Sequence, residues 1–283
     1  MIPKQVTSWL KSKWDDEIVD SQPVSGGCIS NGRRLTLDSG RRVFLKQNDL
    51  TPIDMFEAEF DGLQLLQKGP GPRSPIPYLF GDNFLVTEDL EPASKSKDYG
   101  SKLGQKLAQM HTRTSKKFGL DRDNYIGSTP QINTRTEDGH EFFAVHRLGF
   151  QTRLARDMQL LSKSESRTID ELAGRLEQLI PQQSVALIHG DLWAGNAITD
   201  ELGNGAIIDP AVHFGWAEAE LAMTKLFGGF DDEFYAAYAD AHPLDKNWQD
   251  RLPLYNLYHL LNHLNIFGDA YHSQVMAIVH QFT

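Results

Sequence analysis

The sequence predicts an α+β protein of two lobes: a small mixed lobe over residues 1–90 and a mainly helical lobe over 91–283. Three observations predict it. Strand-like runs and one well-punctuated helix alternate through the first ninety residues. Helical periodicity dominates from Tyr99 onward. Among the later helices sits one compact β-hairpin, in VALIHGDLWAGNAITDELGNGAIIDP at 185–210, rich in carboxylates and amides.

The first twenty residues read as a short amphipathic helix with Val6, Trp9, Leu10 and Trp14 on one face. Arg33 to Leu37 and Arg42 to Gln47 are strand-like, separated by an Asp38-Ser39-Gly40 turn, and Lys46 lies late in the second strand. A helix follows, with Thr51 as N-cap, Pro52 at the first helical position and Asp54 where a capping box places its acid. Met55, Phe56, Phe60, Leu63 and Leu66 make its apolar stripe. Glu59 falls inside that stripe and Glu57 faces outward. A carboxylate on a buried face needs a partner, and Lys46 is the cation offered. Taken singly, the two residues read more readily as a helix-edge glutamate half in solvent and a strand-end lysine exposed at the surface.

Ahead of the first of these strands, Val24 to Gly32 is rich in small residues. Gly26, Gly27 and Ser30 would let backbone N–H groups approach phosphate oxygens, although the segment matches neither the P-loop nor the full G-x-G-x-x-G pattern. Phe84 to Thr87 is a further strand that Pro92 ends, which puts the lobe boundary near Val86 to Pro92. Helical patterns then cover Tyr99 to His111, Glu141 to Leu161, Ile169 to Ile180, Ala217 to Phe227, Phe234 to Ala239 and Leu254 to Phe267.

The hairpin carries the chemistry. Val185 to His189 reads as a strand that delivers Asp191 at its end. Ala197 to Thr199 and Ala206 to Ile208 form the hairpin around a turn at 200–205. Without a bulge, Asn196 falls opposite Asp209, and the two meet Asp191 at one end. Such a set offers oxygen ligands to a hard cation and leaves one carboxylate free. His189, Asp191, Leu192 and Asn196 also match the H-x-D-L-x-x-x-N loop of kinases, with Asp209 in the place of the second magnesium-binding aspartate. The fold expected is therefore protein-kinase-like, with ATP and Mg²⁺ (or Mn²⁺) as cofactors. The plainer reading is a surface hairpin whose Asp and Asn cap its own turn. In a kinase-like fold the lobe boundary is the hinge, whose backbone at Glu88 and Leu90 would bond the adenine.

Composition sets the remaining bounds. The 283 residues are 40% apolar and carry a net charge of −10, which argues against a general nucleic-acid surface. No run of 18 apolar residues is present and the N-terminus lacks an apolar signal segment, so neither membrane insertion nor export is expected. The lone cysteine excludes an intrachain disulfide and suits the cytoplasm.

The chain resembles the fructosamine kinase, or ketosamine-3-kinase, family. The resemblance rests on GGCIS at 26–30, VFLK at 43–46, MFEAE at 55–59, NYIGSTPQ at 124–131 and EFFAVHRL at 141–148. It continues through HGDLWAGN at 189–196, IIDPA at 207–211, ELAMTKLFGGF at 220–230 and LYNLYHLLNHLNIFG at 254–268. It implies ATP-dependent phosphorylation of the sugar O3 of a ketosamine, small or protein-bound, after which the labile 3-phosphate releases the amine. Asp191 would then be the base, Asn196 and Asp209 the metal ligands, and Lys46, held by Glu59, the phosphate-binding cation. His189 would brace the loop. Trp193 would stack on the acceptor or pack on the lobe, and His213, Phe214 and Trp216 would shape the pocket. Cys28 falls where family members can form a redox-dependent link, which implies an oxidised homodimer through Cys28; the alternative is a small loop residue that merely fits.

One segment departs from the family. Arg135 and Gly139 stand where its members typically carry tryptophans, which leaves open a kinase for another amino sugar or amino alcohol. A nucleotide-binding regulator without turnover is the third reading. The retained Lys46, Glu59, Asp191, Asn196 and Asp209 argue against it.

Overall fold

The computed structural model describes residues 2–24 and 31–283. The small lobe is one antiparallel sheet between two helices. Helix α1 (Lys4–Trp14) precedes strands β1 (Ile18–Val24), β2 (Asn31–Leu37) and β3 (Arg42–Gln47). Helix α2 (Met55–Gln67) and strands β4 (Pro77–Gly81) and β5 (Phe84–Glu88) complete it, in the order β1-β2-β3-β5-β4. Period-two alternation sorts the faces. Leu35, Leu37, Val43, Leu45, Phe84 and Val86 bury against Val6 and Leu10 of α1, while Leu85 packs with Phe56 and Leu63 of α2. Lys46 pairs in register with Leu85, so its side chain emerges on the α2 side.

Strands β1 and β4 are edge strands that the sequence reading does not contain. The start of α2 is a correction. The helix begins at Met55 with Asp54 at the cap, one turn after the predicted Thr51. Residues 52–54 form a turn, with the Met55 amide donating to the Pro52 carbonyl at 3.1 Å. The Thr51 hydroxyl donates to the Asn48 carbonyl, and the Asp54 carboxylate accepts from the Tyr125 hydroxyl. Among the described residues neither makes the bond of the predicted capping box.

The helical lobe opens with α3 (Tyr99–His111), which has the bounds its period predicts, and a short ribbon, β6 (Asn124–Ile126) with β7 (Thr129–Gln131). Helix α4 (Gly139–Phe142) runs through a π-helical turn at Phe143–Gly149 into α5 (Phe150–Asp157). The predicted helix thus starts at Gly139 and stops short of Leu161. Asp138 caps it by accepting the His140 and Glu141 amides. Helices α6 (Lys163–Ala173) and α7 (Leu176–Leu179) divide the predicted 169–180 segment around Gly174.

Strand β8 (Ala186–Ile188) then leads to the hairpin, β9 (Ala197–Thr199) and β10 (Gly205–Ile207), and β11 (His213–Gly215) returns antiparallel to β8. Helices α8 (Ala217–Leu226), α9 (Asp232–Ala241), α10 (Leu252–Phe267) and α11 (His272–Phe282) close the lobe. Its core includes an apolar cluster running from Phe118 through Trp216 to Leu264 and Val279 and a second one joining Leu107, Leu187, Leu221 and Phe234. Among the described residues, no helix is long and apolar enough to cross a membrane.

Candidate active site

The hairpin register differs from the prediction by one residue. Ala197 pairs with Ile207, and the Asn196 carbonyl accepts the Ile208 amide at 3.0 Å, so Asp209 lies one position beyond the ladder. The turn sets this. The Asp200 amide donates to the Asn204 carbonyl, and Asp200 Oδ1 accepts the Leu202 and Asn204 amides, which closes a five-residue loop from 200 to 204. Asp209 takes a left-handed backbone, φ +58°, a conformation that Asp tolerates better than most residues. The chain turns there, and the carboxylate swings toward the small lobe.

Its partner is Lys46. The ammonium lies 2.6 Å from Asp209 Oδ1 and 2.6 Å from Glu59 Oε1, so one cation joins strand β3, helix α2 and the hairpin. Burial alone would lower the Lys46 ammonium, but Asp209 and Glu59 outweigh it and hold it above its ordinary range. The proton stays on the lysine.

Asp191 sits at the end of β8. Burial, then the charges of Asp209 and Glu220, push its carboxyl well above the usual range, and Asn196 opposes them. The Asn196 amide nitrogen donates to the Asp191 carbonyl at 2.8 Å and to its carboxylate at 3.3 Å. Those bonds orient Asn196 so that Oδ1 is its remaining acceptor. Among the described residues nothing donates to Asn196 Oδ1 or Asp209 Oδ2. The two are oxygen ligands of the kind a hard divalent cation takes.

His189 is buried, and burial lowers its imidazole. Its Nε2 bonds the Ile208 carbonyl at 2.9 Å, and its Nδ1 accepts the Asp191 amide at 3.3 Å. The ring thus spans the two arms that carry Asp191 and Asp209.

A second brace, Glu220, was not singled out from the sequence. It is 1% exposed, and its two carboxylate oxygens accept the His189 and Gly190 amides at 2.5 and 3.0 Å. The signal available was an acid flanked by apolar residues in Glu220-Leu221-Ala222-Met223, where a buried charge needs partners. Gly190 is required beside it: its φ is +83°, and a Cβ there would stand 2.2 Å from the Ala211 carbonyl oxygen.

The remaining predicted residues divide. Trp193 is half-buried, edge-on to Phe227 at 6.1 Å, with its ring over Gly195. Phe214 lies beneath the Arg135 guanidinium at 5.4 Å. His213 is buried in β11, where burial and then Arg147 push its imidazole well below the ordinary value. Trp216 is not in the cleft. It is 3% exposed and packs on Phe118, His140, Phe143 and Tyr255 in the lobe core. Trp216 and His213 line a small cavity of about 20 Å³ beside Gly190, with room for about one water.

At the lobe junction the Glu88 amide donates to the Ile76 carbonyl, the Glu88 carbonyl accepts the Thr87 hydroxyl at 3.1 Å, and the Glu88 carboxylate accepts from Arg73. Leu90 is buried, and its backbone N–H and C=O have no partner among the described residues. Gly26, Gly27, Cys28 and Ser30 lie outside the described residues.

Comparison with known proteins agrees with this geometry. A family model described as fructosamine kinase matches residues 2–283. A protein of Synechocystis sp. assigned as a ketoamine kinase is 39% identical over 93% of this chain and 90% of its own length. A chloroplastic protein-ribulosamine 3-kinase of Oryza sativa subsp. indica is 38% identical, covering 94% of this chain and 79% of its own. A solved structure from Thermobifida fusca, assigned as a fructosamine-3-kinase, superposes with a TM-score of 0.89 at 29% identity, covering 99% and 98% of the two chains. An aminoglycoside phosphotransferase in complex with gentamicin shares the fold alone, at a TM-score of 0.64 and 13% identity. A full-length family match, together with a Lys–Glu–Asp bridge closed over an Asp–Asn loop in a kinase-like fold, makes this chain a member of the fructosamine kinase family.

Proposed function

We propose that the protein is an ATP-dependent ketosamine 3-kinase, acting in the cytoplasm on ribulosamines or fructosamines, free or on protein amines. The observation that carries the reading is the double contact of Lys46 with Glu59 and Asp209, because it aligns a phosphate-binding cation with the loop that bears Asp191. Residues 1–90 would hold the nucleotide, with the Leu90 backbone facing the adenine, and residues 91–283 the acceptor.

Asp191 would orient the sugar O3 and accept its proton as the O3–P bond forms and the bond from the γ-phosphorus to the ADP oxygen breaks. Lys46 would leave Asp209 for the phosphates while Glu59 keeps it in place. Asn196 and Asp209 would hold Mg²⁺, or Mn²⁺, which when bound neutralises charge on the transferring phosphoryl group. His189 and Glu220 would keep the loop in shape. An oxidised dimer through Cys28 is a separate expectation from the sequence, and a monomeric band on a non-reducing gel after diamide treatment would dismiss it.

Arg135, partly exposed over Phe214, favours one second reading, a drifted acceptor such as another amino sugar or amino alcohol. ADP release with Mg-ATP against ribuloselysine, fructoselysine, free lysine, choline and an aminoglycoside tests both. Turnover confined to ketosamines and lost in Asp191→Asn is expected. Turnover on another acceptor alone would replace the ketosamine reading with the second.

A further inference from the structure

Helix α2 is held from two sides. On one side Glu59 meets Lys46. Two residues along a helix is roughly 200° of rotation, so Glu57 points away from Glu59, and Asp61 joins Glu57 one turn on. Left alone, Asp54, Glu57 and Asp61 would crowd three carboxylates on one exposed face.

Arg122, from the helical lobe just ahead of β6, supplies the cation. Its Nη1 bonds Asp61, and its Nη2 lies 3.2 Å from Glu57 and 3.9 Å from Asp54. The Tyr125 hydroxyl adds a bond to Asp54. A fork of two guanidinium nitrogens on two carboxylates fixes direction as well as distance.

The base of this arm is rigid. The Arg122 carbonyl accepts from Asn133 Nδ2, the Asp123 carboxylate accepts the Asn133 amide at 2.7 Å, and Asn124 Nδ2 donates to the Val212 carbonyl at 2.9 Å. Asn124 and Asn133 are buried. The arm that grips α2 is therefore anchored three residues from Asp209. Against the same stretch, a Cβ at Gly62 of α2 would stand 3.5 Å from Val212 and 3.7 Å from Pro210, so the helix lies close upon it.

We propose that Arg122 is a positioning residue for phosphoryl transfer: gripping Glu57 and Asp61, it holds α2 against the helical lobe so that Glu59 keeps Lys46 aimed at the nucleotide. This rests on the proposed role of Lys46 in binding ATP. It differs from a surface ion pair that only adds stability, because its two ends sit in different lobes and its release would turn Glu59 away. Losing the grip should act on nucleotide binding and leave acceptor binding alone.

The test is ADP affinity by calorimetry, with the ATP and acceptor KM and kcat, for Arg122→Ala, Arg122→Gln and the exchange Arg122→Glu with Asp61→Arg. Each single variant should weaken ADP binding and lower kcat/KM for ATP about tenfold, with the acceptor KM within about twofold. The exchange should recover at least half of that loss on a logarithmic scale. ADP affinity and ATP kcat/KM that stay at wild-type values in both single variants would overturn the proposal, as would an exchange no better than the single variants. A wild-type protein that binds ADP but phosphorylates no ketosamine would sink the acceptor reading and leave this test standing on the binding data.

Discussion

Asp209 stands one residue past the rung on which Asn196 meets Ile208, at the point where the backbone turns left-handed. The offset puts the two proposed oxygen ligands on successive levels rather than side by side, and it frees the Asp209 carboxylate to reach Lys46. Asp209→Asn keeps a residue that accepts positive φ but removes the charge. It should lower kcat by at least about a hundredfold, in line with losing a charged transition-state contact, with little change in melting temperature. Asp209→Ala should lose the same activity and also melt lower, since alanine is strained there. Paired thermal melts and turnover assays separate the two effects.

Asp191→Asn removes the proposed proton acceptor and keeps the side chain's shape. A loss of about 10²–10⁴ in kcat is expected, with ADP affinity within about threefold. Calorimetry beside a turnover assay checks it.

Glu220 holds the turn beneath the catalytic loop with both oxygens. Glu220→Gln presents an NH₂ to one of two backbone N–H donors and leaves that donor unsatisfied. The cost should be about 1–3 kcal/mol, read as a lower denaturation midpoint, together with a fall in kcat because the loop loses its brace.

Acid should destabilise the fold through buried neutral histidines. Burial pushes His259 down to about 3 and lowers His213 and His263 as well. Between about 3 for His259 and the ordinary 6.5 the unfolded chain binds a proton that the folded chain refuses, and the lowered His213 and His263 act in the same sense, so stability is full above about pH 6.5 and falls as the pH drops. Each such group contributes up to about 1.4 kcal/mol per pH unit. Melting temperatures from pH 8 to pH 5 should decline, and His259→Gln should make the decline shallower.

Gly139 leaves no room for a tryptophan at its position. A Cβ there would stand 2.5 Å from Phe118 and 2.7 Å from Trp216, so the core ring already fills the space. Gly139→Trp should therefore destabilise, by about 1–3 kcal/mol or more. Arg135 is partly exposed over Phe214, and Arg135→Trp should be tolerated. An unchanged melting temperature in Gly139→Trp would contradict the packing account.

Much of this architecture was legible because it rests on local periodicity. Helix α3 matches its predicted ends, and Glu59 could be told from Glu57 by helical phase alone. What escaped depends on contacts distant in the chain. Strands β1 and β4 are edge strands whose burial alternates weakly, so period two is blurred in their sequences. The register of the hairpin hangs on side-chain bonds of Asp200 inside the turn, which spacing does not reveal. Glu220 braces amides thirty residues upstream, and Trp216, adjacent in sequence to the cleft residues, turns into the core instead.

The placement of Trp193 has a spectroscopic consequence. Trp216 and Trp248 are buried, whereas the Trp193 indole is half-solvated on the catalytic loop beside Phe227. The helical lobe thus holds two blue emitters and one red emitter, the red one on the loop that bears Asp191. With Trp9 and Trp14 changed to phenylalanine, a blue shift in emission during a titration would mark the arrival of an acceptor without any coupled assay.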